Sequence, residues 1–286
     1  MAFNNLRMLC QSNGDRVSDT LPYNPELTSQ GLKKGQAANN ISIRKKSDLE
    51  KHMVDNDWAV FRLGDHGTDK TCFAIAQANH IDDFFFTKDE ILKKFEEAGR
   101  KRKFVGGTIL AVKNTPKAHE PFKQCLPNTE SGILSRVIAT RWKDRQSKGE
   151  EFLAATNLRY KKNIEFEFKP TDLDNTPLTY REGRGNIEVD AVILDVGSQE
   201  ILVIEAKHDE EEVFKGQIAY SYMAVRKRLE DNLPPGSPLP KITPVIVFSG
   251  SDPQGSSVWV SVCYCDWNPN LAITEMKIGE VYAGYL

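Results

Sequence analysis

Two apolar runs, Ala191-Val-Ile-Leu194 and Ile201-Leu-Val-Ile204, lie on either side of the turn-forming segment Asp195-Val-Gly-Ser198. A strand with one wet face alternates apolar and polar residues; these runs do not, which predicts central strands covered on both faces. The surrounding pattern supplies the covers. Phe214, Ile218, Tyr222, Val225 and Leu229 recur at helical spacing, predicting a helix from about Glu211 to Glu230 that the prolines from Pro234 onward stop. Upstream, Ile133, Leu134, Val137, Ile138 and Trp142 mark a helix beginning near Thr129. Strands are expected at Asn163–Lys169, Asn186–Leu194 and Ile201–Lys207, then at Pro244–Phe248 and Val258–Cys263. The order is helix, three strands, helix, two strands. It predicts an α/β (α+β) layer structure with a mixed central sheet flanked by helices.

The first half of the chain reads differently. Residues 1–40 are polar and carry no sustained apolar period, so they read as a flexible arm. Residues 41–113 read as a small α/β module of unknown role. Ser47-Asp-Leu-Glu50 has the form of a capping box, Trp58–Leu63 and Cys72–Ala76 have strand composition, and Thr87 can cap a helix running to about Ala98. A segment bearing Pro116, Pro121 and Pro127 suggests a linker over 114–128, ahead of a second domain over 129–286.

The net charge of −2 rules out a generally basic chain, so any nucleic-acid interface must be a local patch. Arg100-Lys-Arg-Lys103 is one such cluster. A second spans residues 136–162, where eight basic side chains face three acidic ones. Trp142 and Tyr160 within it could stack on bases, although the spacing of Trp142 from Ile138 suits the core better. The five cysteines form no disulfide framework, and no run is long enough to span a membrane; both point to an intracellular protein of the cytoplasm or nucleus.

The residues that could carry chemistry sit on the central strands. Glu205 and Lys207 share one side of their strand, and Asp190 lies on the neighbouring strand at the end remote from the turn. Counting outward from that turn brings the three level. Carboxylates crowded at the edge of an apolar sheet resist ionisation, and a hard divalent cation with oxygen ligands relieves them. Glu-x-Lys alone carries little weight, since Glu167-Phe-Lys169 and Glu275-Met-Lys277 repeat it. Asp190 pairing with Lys207 as an ordinary salt bridge is the plainer alternative. His208 has the opposite parity and reads as exposed. The acidic run Asp209–Glu212 reads as support for the N-terminus of the next helix.

Asp190, Glu205-Ala206-Lys207 and a following helix with Gln217, in this order of elements, resemble the PD-(D/E)XK nuclease superfamily over about Thr129 to Asp266. The resemblance implies a restriction-endonuclease-like core and a Mg²⁺- or Mn²⁺-dependent hydrolase of phosphodiester bonds in DNA or RNA. It implies that Asp190, Glu205 and the Ala206 carbonyl hold the metal and that Lys207 serves the nucleophile. Gln217 would help set the site, and an upstream glutamate would join it. Glu130, Glu150 and Glu151 compete for that last role, and the short distance from Glu151 to the following strand favours it. The alternative is a catalytically idle fold of this kind that binds nucleic acid or protein, with the N-terminal module as a possible contact for a protein partner.

Overall fold

The computed structural model describes residues 3–22, 43–66, 71–101, 129–138, 152–161, 164–182, 186–251 and 258–285. Its centre is a six-stranded mixed sheet. Taking β5 as Phe152–Lys161, β8 as Asn186–Asp195, β9 as Glu200–His208, β11 as Lys241–Ser251, β12 as Val258–Asp266 and β13 as Lys277–Tyr285, the spatial order is β13-β12-β11-β9-β8-β5. Neighbours run antiparallel except β9 and β11, which are parallel. A parallel pair cannot close through a tight turn, and helix α5 (Lys215–Asn232) lies within the connection between the two.

The two faces of this sheet belong to two separate apolar clusters. Leu202, Ile204, Val245, Val247, Val260 and Val262 pack with Ile133, Leu134 and Val137 of helix α4 (Glu130–Val137). On the other face Ile201, Val203, Ile246, Phe248 and Cys263 pack with Ile218, Ala219, Tyr222 and Val225 of α5. Residues adjacent in β9 and β11 thus feed opposite cores, as the broken alternation of their sequences requires.

The first strand of the antiparallel trio is β5, not the segment expected at Asn163–Lys169. That segment forms β6 (Ile164–Phe168), which pairs with β7 (Leu178–Glu182) as a separate hairpin. Its strict in-out burial suits a two-stranded unit with one covered face. The sequence Leu-Ala-Ala-Thr-Asn of β5 is weakly strand-forming, and long-range pairing with β8 overrides that preference.

Residues 4–13 form helix α1, and Leu21–Pro22 (β1) pairs with β3 (Cys72–Gln77), where composition suggests an arm without regular structure. Tertiary packing decides here: Cys10 and Val17 are buried in the same cluster as the main sheet. Ser47 lies inside a 3₁₀ turn instead of opening a helix. Asp48 Oδ2 accepts the Arg44 and Lys45 amides at 2.8 and 3.1 Å, and Glu50 precedes the four-residue α2 (Lys51–Val54). Thr87 Oγ1 accepts the Glu90 amide at 3.2 Å at the start of α3 (Lys88–Lys101). The linker expected at 114–128 lies outside the described residues.

Apolar residues from both sides of that segment share one core. Phe61 of β2 (Trp58–Arg62) is fully buried, with ring centroids 5.6 Å from Phe84, 5.8 Å from Phe168 and 5.5 Å from Phe214. Strand β4 (Phe85–Thr87) pairs with β10 (Glu212–Phe214), and Glu212 accepts from the Lys46 amide at 2.7 Å. The acidic run therefore does not lie in the first turn of α5: Glu212 pairs with Lys46, and Glu211 with Lys88. Gly216 follows for a steric reason, since a Cβ there would stand 2.4 Å from Cε1 of Phe214. Among the described residues, no helix is long and apolar enough to cross a membrane.

Lys215 is buried in this region. Its ammonium donates to the Thr274 carbonyl at 3.3 Å and lies 4.8 Å from the centre of the Phe86 ring. Burial lowers its pKa, against the opposing pull of Glu90 and Asp83. The charged form is the costly one when folded, so that cost is present at neutral pH and vanishes above the unfolded value of about 10.4. Lys215→Met should raise the urea midpoint at pH 7, with an advantage that shrinks as pH rises toward that value. Phe61→Ala should cost about 3–5 kcal/mol. Because its ring joins both parts of the chain, fluorescence and far-ultraviolet dichroism should report one coincident unfolding transition.

Candidate active site

Backbone pairing between β8 and β9 runs from Asp195↔Glu200 to Ala191↔Ile204 and stops there. Beyond it a side chain takes over: the Ala206 amide donates to Asp190 Oδ2 at 2.7 Å. This bond ties the Asp190 carboxylate to the backbone of the Glu205-Ala206-Lys207 segment.

The Lys207 ammonium donates to Glu205 Oε1 at 2.8 Å, and both side chains are only about a tenth exposed. The parallel neighbour β11 sets Ile246 beside Glu205 and Phe248 beside Lys207, and both of these apolar residues are fully buried. Burial pushes the Glu205 carboxyl up. Lys207 pulls it down, and Asp190 and Glu130 push it up again, so the net direction is upward. For Lys207 burial acts downward, but Glu205, Glu130 and Asp190 together outweigh it and leave the ammonium raised. Lys207 is thus held in its charged form.

The carboxyl groups of Asp190, Glu205 and Glu130 therefore all act on the Lys207 ammonium; Glu205 and Lys207 are buried, and Asp190 and Glu130 are half-buried. The remaining oxygens of Asp190 and Glu205 make no hydrogen bond to a described residue. Among the described residues, no group of three or more His, Cys, Asp or Glu is arranged to hold a metal ion. The Asp190 and Glu205 carboxylates and the Ala206 carbonyl are nonetheless oxygen donors of the kind that suits Mg²⁺, which keeps several waters and takes one or two protein carboxylates. A divalent ion would favour the ionised form of Glu205, which burial and the neighbouring carboxylates oppose.

The structure brings Asp190, Glu205, Ala206 and Lys207 together. Of the three upstream glutamates it describes Glu130, in the first turn of α4, where its charge reaches both Glu205 and Lys207. The N-cap Thr129, whose Oγ1 accepts the Gly132 amide at 3.3 Å, is the local signal that fixes Glu130 at a helix start. Glu150, Glu151 and Trp142 lie outside the described residues, as do the side chains of Arg100–Lys103. Gln217 sits in the first turn of α5 with Oε1 buried and unpaired, and no hydrogen bond joins it to the other site residues.

His208 is not exposed: its side chain is 12 % accessible. Its Nδ1 lies 3.1 Å from Ser249 Oγ, which donates to the Lys207 carbonyl at 3.1 Å, and its Nε2 lies 3.2 Å from Asp209 Oδ2. Asp209 in turn accepts the Ser251 amide at 2.9 Å. This bracket fixes the end of β9 to β11. The other two Glu-x-Lys segments differ. Glu167 faces outward on β6, and Glu275 accepts the Ala272 amide at 2.9 Å in a 3₁₀ turn. Cys10, Cys72, Cys263 and Cys265 are buried and form no disulfide, and burial pushes the Cys263 thiol up to about 12, a value at which it is inert. Cys125 lies outside the described residues.

Comparisons of the chain with protein-family models, with curated proteins and with solved structures give no match.

Asp190→Ala should leave the buried Ala206 amide without its acceptor and cost about 1–3 kcal/mol, whereas Asp190→Asn keeps an acceptor oxygen and should cost less. Urea denaturation of the two variants in the presence of chelator checks the difference.

Proposed function

We propose that this chain is a metal-dependent nuclease that hydrolyses phosphodiester bonds in DNA or RNA, with Mg²⁺ or Mn²⁺ as its resident ion. The observation that carries the reading is the action of the Asp190, Glu205 and Glu130 carboxyl groups on one ammonium, with Glu205 and Lys207 buried and Asp190 tied to the Ala206 amide. The arrangement of elements supports a restriction-endonuclease-like core: α4, the antiparallel trio β5-β8-β9, the crossover helix α5, and β11 parallel to β9. Fold analogy raises the weight of this reading and does not replace the site.

Asp190, Glu205 and the Ala206 carbonyl would hold the ion. When bound, it supplies a Lewis acid beside the scissile phosphate and lowers the pKa of a coordinated water. Lys207, held as an ammonium, is suited to donate hydrogen bonds to a phosphate oxygen or the attacking water, and to offset charge developing on phosphorus. It is poorly suited to take a proton as a general base. Glu205 fixes Lys207 in place, and Glu130 adds negative charge that keeps it protonated. The unpaired Gln217 Oε1 is an acceptor available to an ordered water.

The test is cleavage of labelled single- and double-stranded DNA and RNA with Mg²⁺, with Mn²⁺ and with chelator. We expect metal-dependent cleavage of at least one substrate. Asp190→Asn and Lys207→Ala should each lose at least about a hundredfold in rate, the scale of removing one charge-stabilising group, with circular dichroism unchanged. Absence of cleavage of all four substrates with either ion would overturn the reading; binding without cleavage would then assign the chain to an idle, nucleic-acid-binding form of the fold.

A further inference from the structure

We propose that Asn157, on the edge strand, is a positioning residue for Asp190, acting through its backbone conformation. The proposal rests on the nuclease reading only for the consequence to cleavage. Strands β5 and β8 pair from Phe152↔Asp195 to Thr156↔Ala191 and again from Leu158↔Val189 to Lys161↔Asn186. The step between these stretches sets Asn157 across from Asp190, with no break in register. Asn157 has φ +52°, the left-handed region that L residues avoid and that Asn, Asp and Gly tolerate best.

Packing shows what this residue does. In a regular strand Phe152, Leu158 and Tyr160 would share a face. Instead Phe152 packs on the α4 side of the sheet, and Leu158 and Tyr160 pack on the α5 side. Strand β8 makes the same exchange: Ala191 and Ile193 belong to the α4 side, Ile187 and Val189 to the α5 side. Both strands therefore exchange faces together, and the exchange falls at Asn157 and Asp190. On the far side of it, Arg159 and Glu188 are a cross-strand pair at 3.2 Å that points into solvent. Asp190 leaves the regular ladder at this point, and its carboxylate takes the Ala206 amide in place of a strand partner. The left-handed residue is what permits the exchange, since the ladder on both sides of it is intact.

The experiment compares Asn157→Gly with Asn157→Ala in the full chain, reading hydrogen exchange of the Ala206 amide by NMR alongside amides of the β9–β11 ladder. Glycine adopts positive φ freely, so Asn157→Gly should keep the protection of Ala206 close to that of the parent. Alanine resists it, and Asn157→Ala should speed exchange at Ala206 by about 5–30-fold, the factor a left-handed penalty corresponds to, while the β9–β11 amides stay protected. Equal protection in the alanine variant overturns the proposal. So does equal loss in the glycine variant, which would assign the role to the amide side chain. If alanine unfolds the chain, the glycine variant still decides. The exchange result is independent of catalysis, so a chain that cleaves nothing leaves it readable. In an active chain, cleavage should follow the same order, with the glycine variant rescued and the alanine variant impaired.

Discussion

Glu205 and Lys207 are ionisable groups placed where the neighbouring strand carries Ile246 and Phe248. A buried pair of this kind contributes little net stability over an apolar pair of the same shape, because desolvation consumes most of the attraction. Its presence makes sense only in relation to the other charges nearby. Asp190 and Glu130 oppose ionisation of Glu205 and help keep the lysine protonated, while oxygens of Asp190 and Glu205 make no hydrogen bond to a described residue. β9 lies inside the sheet, with Ile246 and Phe248 of β11 on one side of the pair, and its parallel run with β11 requires the crossover that carries α5 onto the face lined by Ile201 and Val203.

The sequence was most legible where the burial pattern is extreme. Ala191–Leu194 and Ile201–Ile204 could only be central strands, and the tight turn between them fixes which residues stand level; Asp190 and Glu205 follow from counting. The limits appear at β5. Its Ala-Ala-Thr-Asn composition has little strand preference, and only β8 makes a strand of it. The segment 164–168 alternates so cleanly that it attracts the assignment to the main sheet, yet clean alternation is the mark of a hairpin with one wet side.

The same limit applies to the site. His208 has the wrong parity for the carboxylate cluster, and parity alone makes it look exposed. Only the approach of Ser249 from β11, an element some forty residues later, shows that it is bracketed. Glu130 was one of three acidic candidates, and its reach to Glu205 and Lys207 depends on how α4 packs on the sheet. Asn157 carries no sequence signal except its identity: asparagine is among the few residues that accept a left-handed conformation inside a strand. Local chemistry is written in the sequence, whereas these placements depend on contacts between distant segments.

The pairing of β4 with β10 has a consequence for synthesis. Phe85 meets Phe214, and 129 residues, 214 less 85, separate them. At roughly 5–20 residues per second a ribosome takes on the order of ten seconds to cover that span. For that interval Phe84, Phe85 and Phe86, all buried in the finished protein, emerge without their partner. A nascent chain of this kind offers chaperones a greasy handle early in translation and is vulnerable to mispairing until its last third has left the tunnel.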